Sequence, residues 1–314
     1  MKEKILWAIP LIILCLVTLI ITISLGQVGR VIAQLYRTPN QSSVETVNPD
    51  WKIPASCALK PEINRTTPYL PTASVPNQIP LDRFRRDASN LNPSTEEPVN
   101  LTISTTTLAS YTPRESIALI HPSNYGQRFI LDLYSKPAKH DPIVVIHETD
   151  FSVSSAIHTF RTPHSRDSDQ VSYHALIKLN GDIVYLVPPD LRAFGAGNSV
   201  FQSEKGIETV KTHPHYPPSV NNFAYHISLE TPVDGRNPKT RHSGYTLAQY
   251  KSLAWLVAKT GVPDSRITTH KAVDRSGLRV DPRSFDASTF FNFLQSFPRT
   301  QDMIIGCQPP SSDR

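Results

Sequence analysis

Residues 143–147 read Ile-Val-Val-Ile-His, entered through Asp141-Pro142, and this short stretch decides the fold. Four successive apolar residues, all β-branched, describe a strand buried on both faces, as in a sheet covered by helices. The strand closes on His147, and in α/β folds clefts open beyond the carboxyl ends of strands. Successive strand residues face opposite ways, so a His147 turned toward a cleft leaves Glu148 as a structural group.

Working outward, VSYHALIKL and DIVYLV flank Asn180-Gly181, the strongest short-range hairpin signal. A further strand spans 224–230 (AYHISLE), and a short one leads into His270 through RITTH. Between them, 246–260 (TLAQYKSLAWLVAKT) predicts a helix with Leu247, Tyr250, Leu253, Ala254 and Val257 on one face. It opens on a Thr246-x-x-Gln249 capping box and stops at Gly261. Another helix is expected over 287–297, with Asp286 as N-cap and Pro298 beyond its end. Strands alternating with helices give an α/β domain over 113–300, a mixed central sheet flanked by helices, followed by a tail over 301–314.

The chain before this domain reads differently. Residues 5–25 (ILWAIPLIILCLVTLIITISL) carry no charge, enough to span a hydrocarbon core of about 30 Å as a helix. This is read as a membrane anchor, with 1–4 on the cytoplasmic side. Residues 36–112 are rich in Pro, Ser, Thr and Asn, and read as an extended linker that cannot bury enough apolar surface to fold. Outside the anchor only Cys57 and Cys307 remain; one disulfide in an oxidising compartment and two free thiols are equally compatible with the sequence. The net charge of +5 is spread along the chain without a basic run, which argues against a nucleic-acid partner. A mildly basic exported protein is instead drawn to an anionic polymer such as a cell wall.

Of the 11 histidines, position singles out His147 and His270, each closing a strand, and Asp281 follows 11 residues after His270. Pro282 biases Asp281 toward extended backbone. Two imidazoles and one carboxylate make the catalytic kind of zinc site, with three protein ligands and one open position. Asp274 and Asp286 are the competing carboxylates, read as a turn residue and a helix cap. His213 and His215 sit in a Pro-rich loop and are not expected to bind metal; His226 is read as a satisfied histidine. Only one of Tyr173 and His174 can face the cleft, and no Gly-x-Ser-x-Gly nucleophile motif is present.

From Pro142 to Phe293 the ordered blocks IVVIHET, QVSYHALIKLNGDIVYLVPPDLRAFGAGN, AYHISLE, YTLAQYKSLAWLV and ITTHKAVDRSGLRVDPRSFD resemble the type 2 N-acetylmuramoyl-L-alanine amidases, which share their fold with peptidoglycan recognition proteins. The resemblance implies Zn2+ held by His147, His270 and Asp281. It matches the catalytic acid/base to Glu230 and the tyrosine that some members use to Tyr173. Two departures stand out: Gly195 replaces the histidine of a Trp-His-Ala-Gly motif, and Arg279 replaces a lysine. Arg keeps the charge but cannot donate a proton, so its implied part is electrostatic stabilisation of an oxyanion. The implied substrate is peptidoglycan or muropeptides, cut at the amide between lactyl group and L-alanine. The implied place is the outer side of a bacterial inner membrane, in the periplasm, tethered by the N-terminal helix, with the protein a monomer. The alternative is a non-catalytic peptidoglycan-binding or sensor module on the same fold.

Overall fold

The computed structural model describes residues 57–62, 79–86 and 111–307, all within the unit Lys52–Arg314. Six strands form the central sheet: β1 (Glu115–Ile117), β2 (Ile143–Glu148), β3 (Ala175–Ile177), β4 (Ile183–Tyr185), β5 (Ala224–Leu229) and β6 (Ile267–Thr269). Their spatial order is β6-β2-β5-β3-β4-β1. β2 runs parallel to β5 and β6, β5 parallel to β3, and β1 parallel to β4. The β3–β4 pair is the antiparallel hairpin turned at Asn180-Gly181, where Gly181 has a φ of 89° that an L side chain rarely adopts. The mixed sheet expected from the sequence is thus the one observed.

Among the described residues four α-helices accompany the sheet: α1 (Val153–Arg161), α2 (Leu247–Thr260), α3 (His270–Val273) and α4 (Ala287–Leu294). The Thr246/Gln249 capping box forms at the start of α2, and Gly261 ends it in the left-handed conformation. Asp286 caps α4, which stops three residues short of the expected Phe297. On one side of the sheet Val144, Ile146, Ile177, Ile227 and Leu229 pack against Leu253, Leu256, Val257 of α2 and Phe290, Leu294 of α4. Ile143 and Val145 face the other way, into a second cluster with Phe223 and Val273. α1 buries Val153 and Phe160 against Leu176 and Val184 on that second side. Leu247, expected on the buried face of α2, is 53% exposed because it occupies the first position of the helix, before the packed turns begin.

Two stretches within the expected linker, 57–62 and 79–86, are folded onto the domain, as is Tyr111 at its end, which packs against the main core. Cys57 forms a disulfide with Cys307 across a sequence separation of 250. Cys57 and Ala58 pair in parallel with Arg128 and Phe129. Phe84 enters the main core and stacks on Tyr185, and Arg85 makes a buried ion pair with Glu115 at 2.8 Å. An extended linker therefore does not describe these two stretches: one covalent tie and one buried aromatic offset the ordering entropy that their composition alone could not. The expected anchor over 5–25 and the rest of 36–110 lie outside the described residues. Among the described residues no helix is long and apolar enough to cross a membrane.

Candidate metal centre and its cleft

The last two residues of β2 divide their work between the two faces of the sheet. His147 continues the Ile143–Val145 face and is fully buried. His270 arrives from the next strand, β6, as the first residue of α3, with Thr269 capping that helix turn through Ala272 N–H. Asp281 closes the set, its backbone carbonyl accepting from Lys271 N–H at 2.9 Å and its peptide bond to Pro282 cis. Ligand atoms of the three side chains lie within 4.8 Å of one another. His270 Nδ1 is 3.1 Å from the Asp281 carboxylate and His147 Nδ1 is 3.4 Å from it.

This donor set fits a metal ion by its own chemistry. His147 Nδ1 is buried and has no hydrogen-bond partner, which is costly unless another ligand satisfies it. Burial, then the His270 imidazole, pushes the His147 pKa down to about 4, so the ring is neutral at physiological pH, as a ligand must be. Burial works to raise the Asp281 carboxyl, but the His147 and His270 imidazoles outweigh it and hold the group below the usual carboxylate range. Two imidazole nitrogens and a carboxylate suit zinc, with a fourth position left for the reaction.

The cluster sits in a cleft of about 1690 Å³. Tyr173, Arg279, Asp150 and Glu148 line it beside His270 and Asp281. The Tyr173 ring lies 4.6 Å from that of His147. Burial, followed by the Asp281 charge, raises the Tyr173 pKa, so its phenol keeps its proton. His174, the alternative to Tyr173, is fully buried away from the cleft and accepts from His226 N–H at 2.9 Å. Lys60, Pro61 and Glu62 from the disulfide-held stretch form part of the wall.

Glu230 is not brought to this cluster. It lies one residue beyond β5, its Oε1 accepts from Val153 N–H at 3.2 Å, and its Oε2 accepts from Leu179 N–H at 3.1 Å. Arg236 adds a contact at 3.4 Å, and Glu230 is absent from the cleft lining. The carboxylate ties the start of α1 to the β3–β4 hairpin. The reason is register: β5 places Ser228 opposite His147, and Glu230 falls past the paired segment.

Glu148 takes the opposite face, as the alternation of strand residues requires. Its Oε2 accepts from Tyr245 Oη at 2.5 Å, from Arg283 N–H at 3.1 Å and lies 3.0 Å from His242 Nε2; its Oε1 accepts from Arg283 Nε. Arg283 in turn donates to the carbonyls of Gly235, Asn237 and Lys239.

His226 was not expected to matter, yet its Nδ1 shares a 2.9 Å hydrogen bond with His147 Nε2. Its own Nε2 is buried without a partner, so this is no satisfied histidine. Even spacing between 226 and 230 on one strand was the available signal, but it pointed toward Glu230 instead of across to β2. Asp274 binds the backbone N–H groups of Ser276, Leu278 and Arg279 as a turn residue, and Asp286 caps α4. His213 faces Asp167 at 3.2 Å, and His147, His270 and Asp281 form the only metal-competent cluster among the described residues.

Mixed sheet, covering helices and a His/His/Asp cluster at the strand ends define an α/β domain with a candidate metal centre in its cleft. Residues 139–284, somewhat less than half of the chain, match the family model described as N-acetylmuramoyl-L-alanine amidase. Among solved structures the chain is similar to a selenomethionine derivative of AmpD, with 23% identity over 58% of this chain and 94% of the other and a TM-score of 0.39. It is also similar to AmpD of Citrobacter freundii, with 23% identity over 58% and 90% and a TM-score of 0.35. The amidase LysC of Clostridium intestinale matches with 19% identity over 59% and 99% and a TM-score of 0.35. At such scores these likenesses add no weight. No curated protein matches the chain.

Proposed function

We propose that this protein is a zinc-dependent N-acetylmuramoyl-L-alanine amidase that hydrolyses the amide between the lactyl group of N-acetylmuramic acid and the L-alanine of a peptidoglycan stem. The observation that carries the reading is the buried His147 Nδ1, without a hydrogen bond, facing His270 and Asp281, which line an open cleft. His147, His270 and Asp281 would hold the ion. Zinc, when bound, supplies Lewis-acid polarisation of the scissile carbonyl and a water acidified toward a pKa of about 7.

The chain's own residues do the rest. Tyr173, kept protonated, presents an O–H donor beside the cluster, and Arg279 presents a fixed positive charge on the same cleft. Both are placed to stabilise negative charge developing on the lactyl carbonyl oxygen. Glu230 holds no proton-transfer role in this reading, since two backbone amides occupy its oxygens. Location at the outer side of a bacterial inner membrane is part of the proposal, supported by the Cys57–Cys307 disulfide, a bond that persists in oxidising compartments.

The test is incubation of the purified full chain with muropeptides, reading released stem peptide by mass spectrometry, with and without a chelator. Release that stops on chelation and returns with zinc is the expected result. Intact muropeptides in the presence of zinc would instead mark a binding module on the same fold.

A further inference from the structure

The His226 imidazole stands behind His147, off the cleft, and nothing in the proposed chemistry uses it. Its ring fills a space that the chain has cleared at Gly195. A Cβ built on Gly195 would lie 2.6 Å from two ring atoms of His226, closer than any side chain tolerates. Gly195 and His226 are therefore one unit: the glycine admits the ring, and the ring reaches His147.

The direction of the shared hydrogen bond follows from the donors around it. His147 turns Nδ1 toward Asp281 and His270, and Nε2 toward His226 Nδ1 at 2.9 Å. A nitrogen that ligates a metal carries no proton, so a neutral His147 must carry its proton on Nε2. That N–H has one acceptor, His226 Nδ1. The His226 backbone is itself held, its N–H donating to His174 Nδ1, while Arg128 lies 3.3 Å from His174 Nε2 and donates to the carbonyl of Ala224 on the same strand.

We infer that His226, admitted by Gly195, is a positioning residue that accepts the Nε2–H of His147 and so presents a bare His147 Nδ1 to the metal. The inference rests on the metal reading of the cluster proposed above. Outer partners of this kind orient a ligand imidazole and fix its tautomer, and their loss typically lowers metal affinity about 10–100-fold.

The experiment measures zinc affinity of the full chain by competition with a chromophoric chelator, for the wild type and three variants, with thermal unfolding of each as a check on folding. His226→Ala removes the acceptor and is expected to weaken zinc binding about 10–100-fold. His226→Asn restores an acceptor near the Nδ1 position and is expected to recover most of that loss, which a merely space-filling ring would not require. Gly195→Ala leaves position 226 intact but displaces its ring, and is expected to weaken binding in the same direction. Nitrogen NMR of the metal-free wild type reads the tautomer independently of any variant: a proton on His147 Nε2 supports the inference, and a proton on Nδ1 overturns it. Wild-type affinity in folded His226→Ala also overturns it, leaving the metal site standing. A wild type that binds no zinc sinks the metal reading and this inference together.

Discussion

His147 and Glu148 are neighbours at the end of one strand, both buried, both polar, and their surroundings could hardly differ more. Glu148 lies on the face that carries Val144 and Ile146, with every oxygen engaged, by Arg283, Tyr245 and His242. His147 lies on the other face with one nitrogen engaged and the other unpartnered beside a carboxylate and a second imidazole. A polar group whose partners are complete holds the fold together; one left incomplete beside two cleft-lining ligands is ready for something the chain itself does not supply. The contrast separates the two roles more sharply than burial or residue type does.

The strongest way to break that contrast is at the satisfied member. Glu148→Gln leaves the Arg283 guanidinium buried without its charge partner, and removing one member of a buried pair costs about 3–5 kcal/mol. His147→Gln in metal-free protein should cost less than half as much, because it removes a group that is not fully paired. Chemical denaturation of both variants checks the ranking; equal losses would mean that His147 is as structural as Glu148.

Acid sharpens the same point. His147, His174 and His226 are buried, and burial, before any neighbouring charge, lowers the pKa of all three, that of His147 to about 4. In the unfolded chain such rings take up protons below about 6.5. The folded state binds fewer protons in that window, so stability is complete above it and falls as pH drops toward the folded values. Lowering the pH of chelator-treated protein from 7.5 to 5 should cost about 2 kcal/mol for each ring that stays neutral, read from denaturation midpoints. A flat profile would show that the rings are already charged in the fold.

Arg279 gives the smallest effect on stability. It is exposed on the cleft wall, so Arg279→Ala should change stability by no more than about 0.5 kcal/mol while lowering amidase turnover. Unchanged turnover would remove it from the chemistry.

Much of this is legible in the sequence. The capping box at Thr246, the Asn180-Gly181 hairpin and the buried strand ending at His147 are local signals, and local physics settles them. His270 was legible through the resemblance and its place after a strand, and Asp281 through the resemblance and its place 11 residues on, directly before Pro282. What escaped depends on contacts between distant parts of the chain. Phe84 and Cys57 sit in a stretch whose composition argues for solvent, and only a tie to Cys307 and a slot beside Tyr185 explain their burial. The placement of Glu230, which the resemblance matched to the acid/base, away from the cluster escaped because the register of β5 on β2 sets Ser228 opposite His147, and no single strand reveals its neighbour's register. His226 escaped for the same reason, with the added condition that Gly195 must clear its space.

The central claim is that His147, His270 and Asp281 hold one zinc ion. Elemental analysis of the full chain after dialysis against trace zinc tests it directly, comparing the wild type with Asp281→Ala. One zinc per wild-type chain and a large loss from the variant is the predicted result; equal zinc in both, or none in the wild type, would contradict the account.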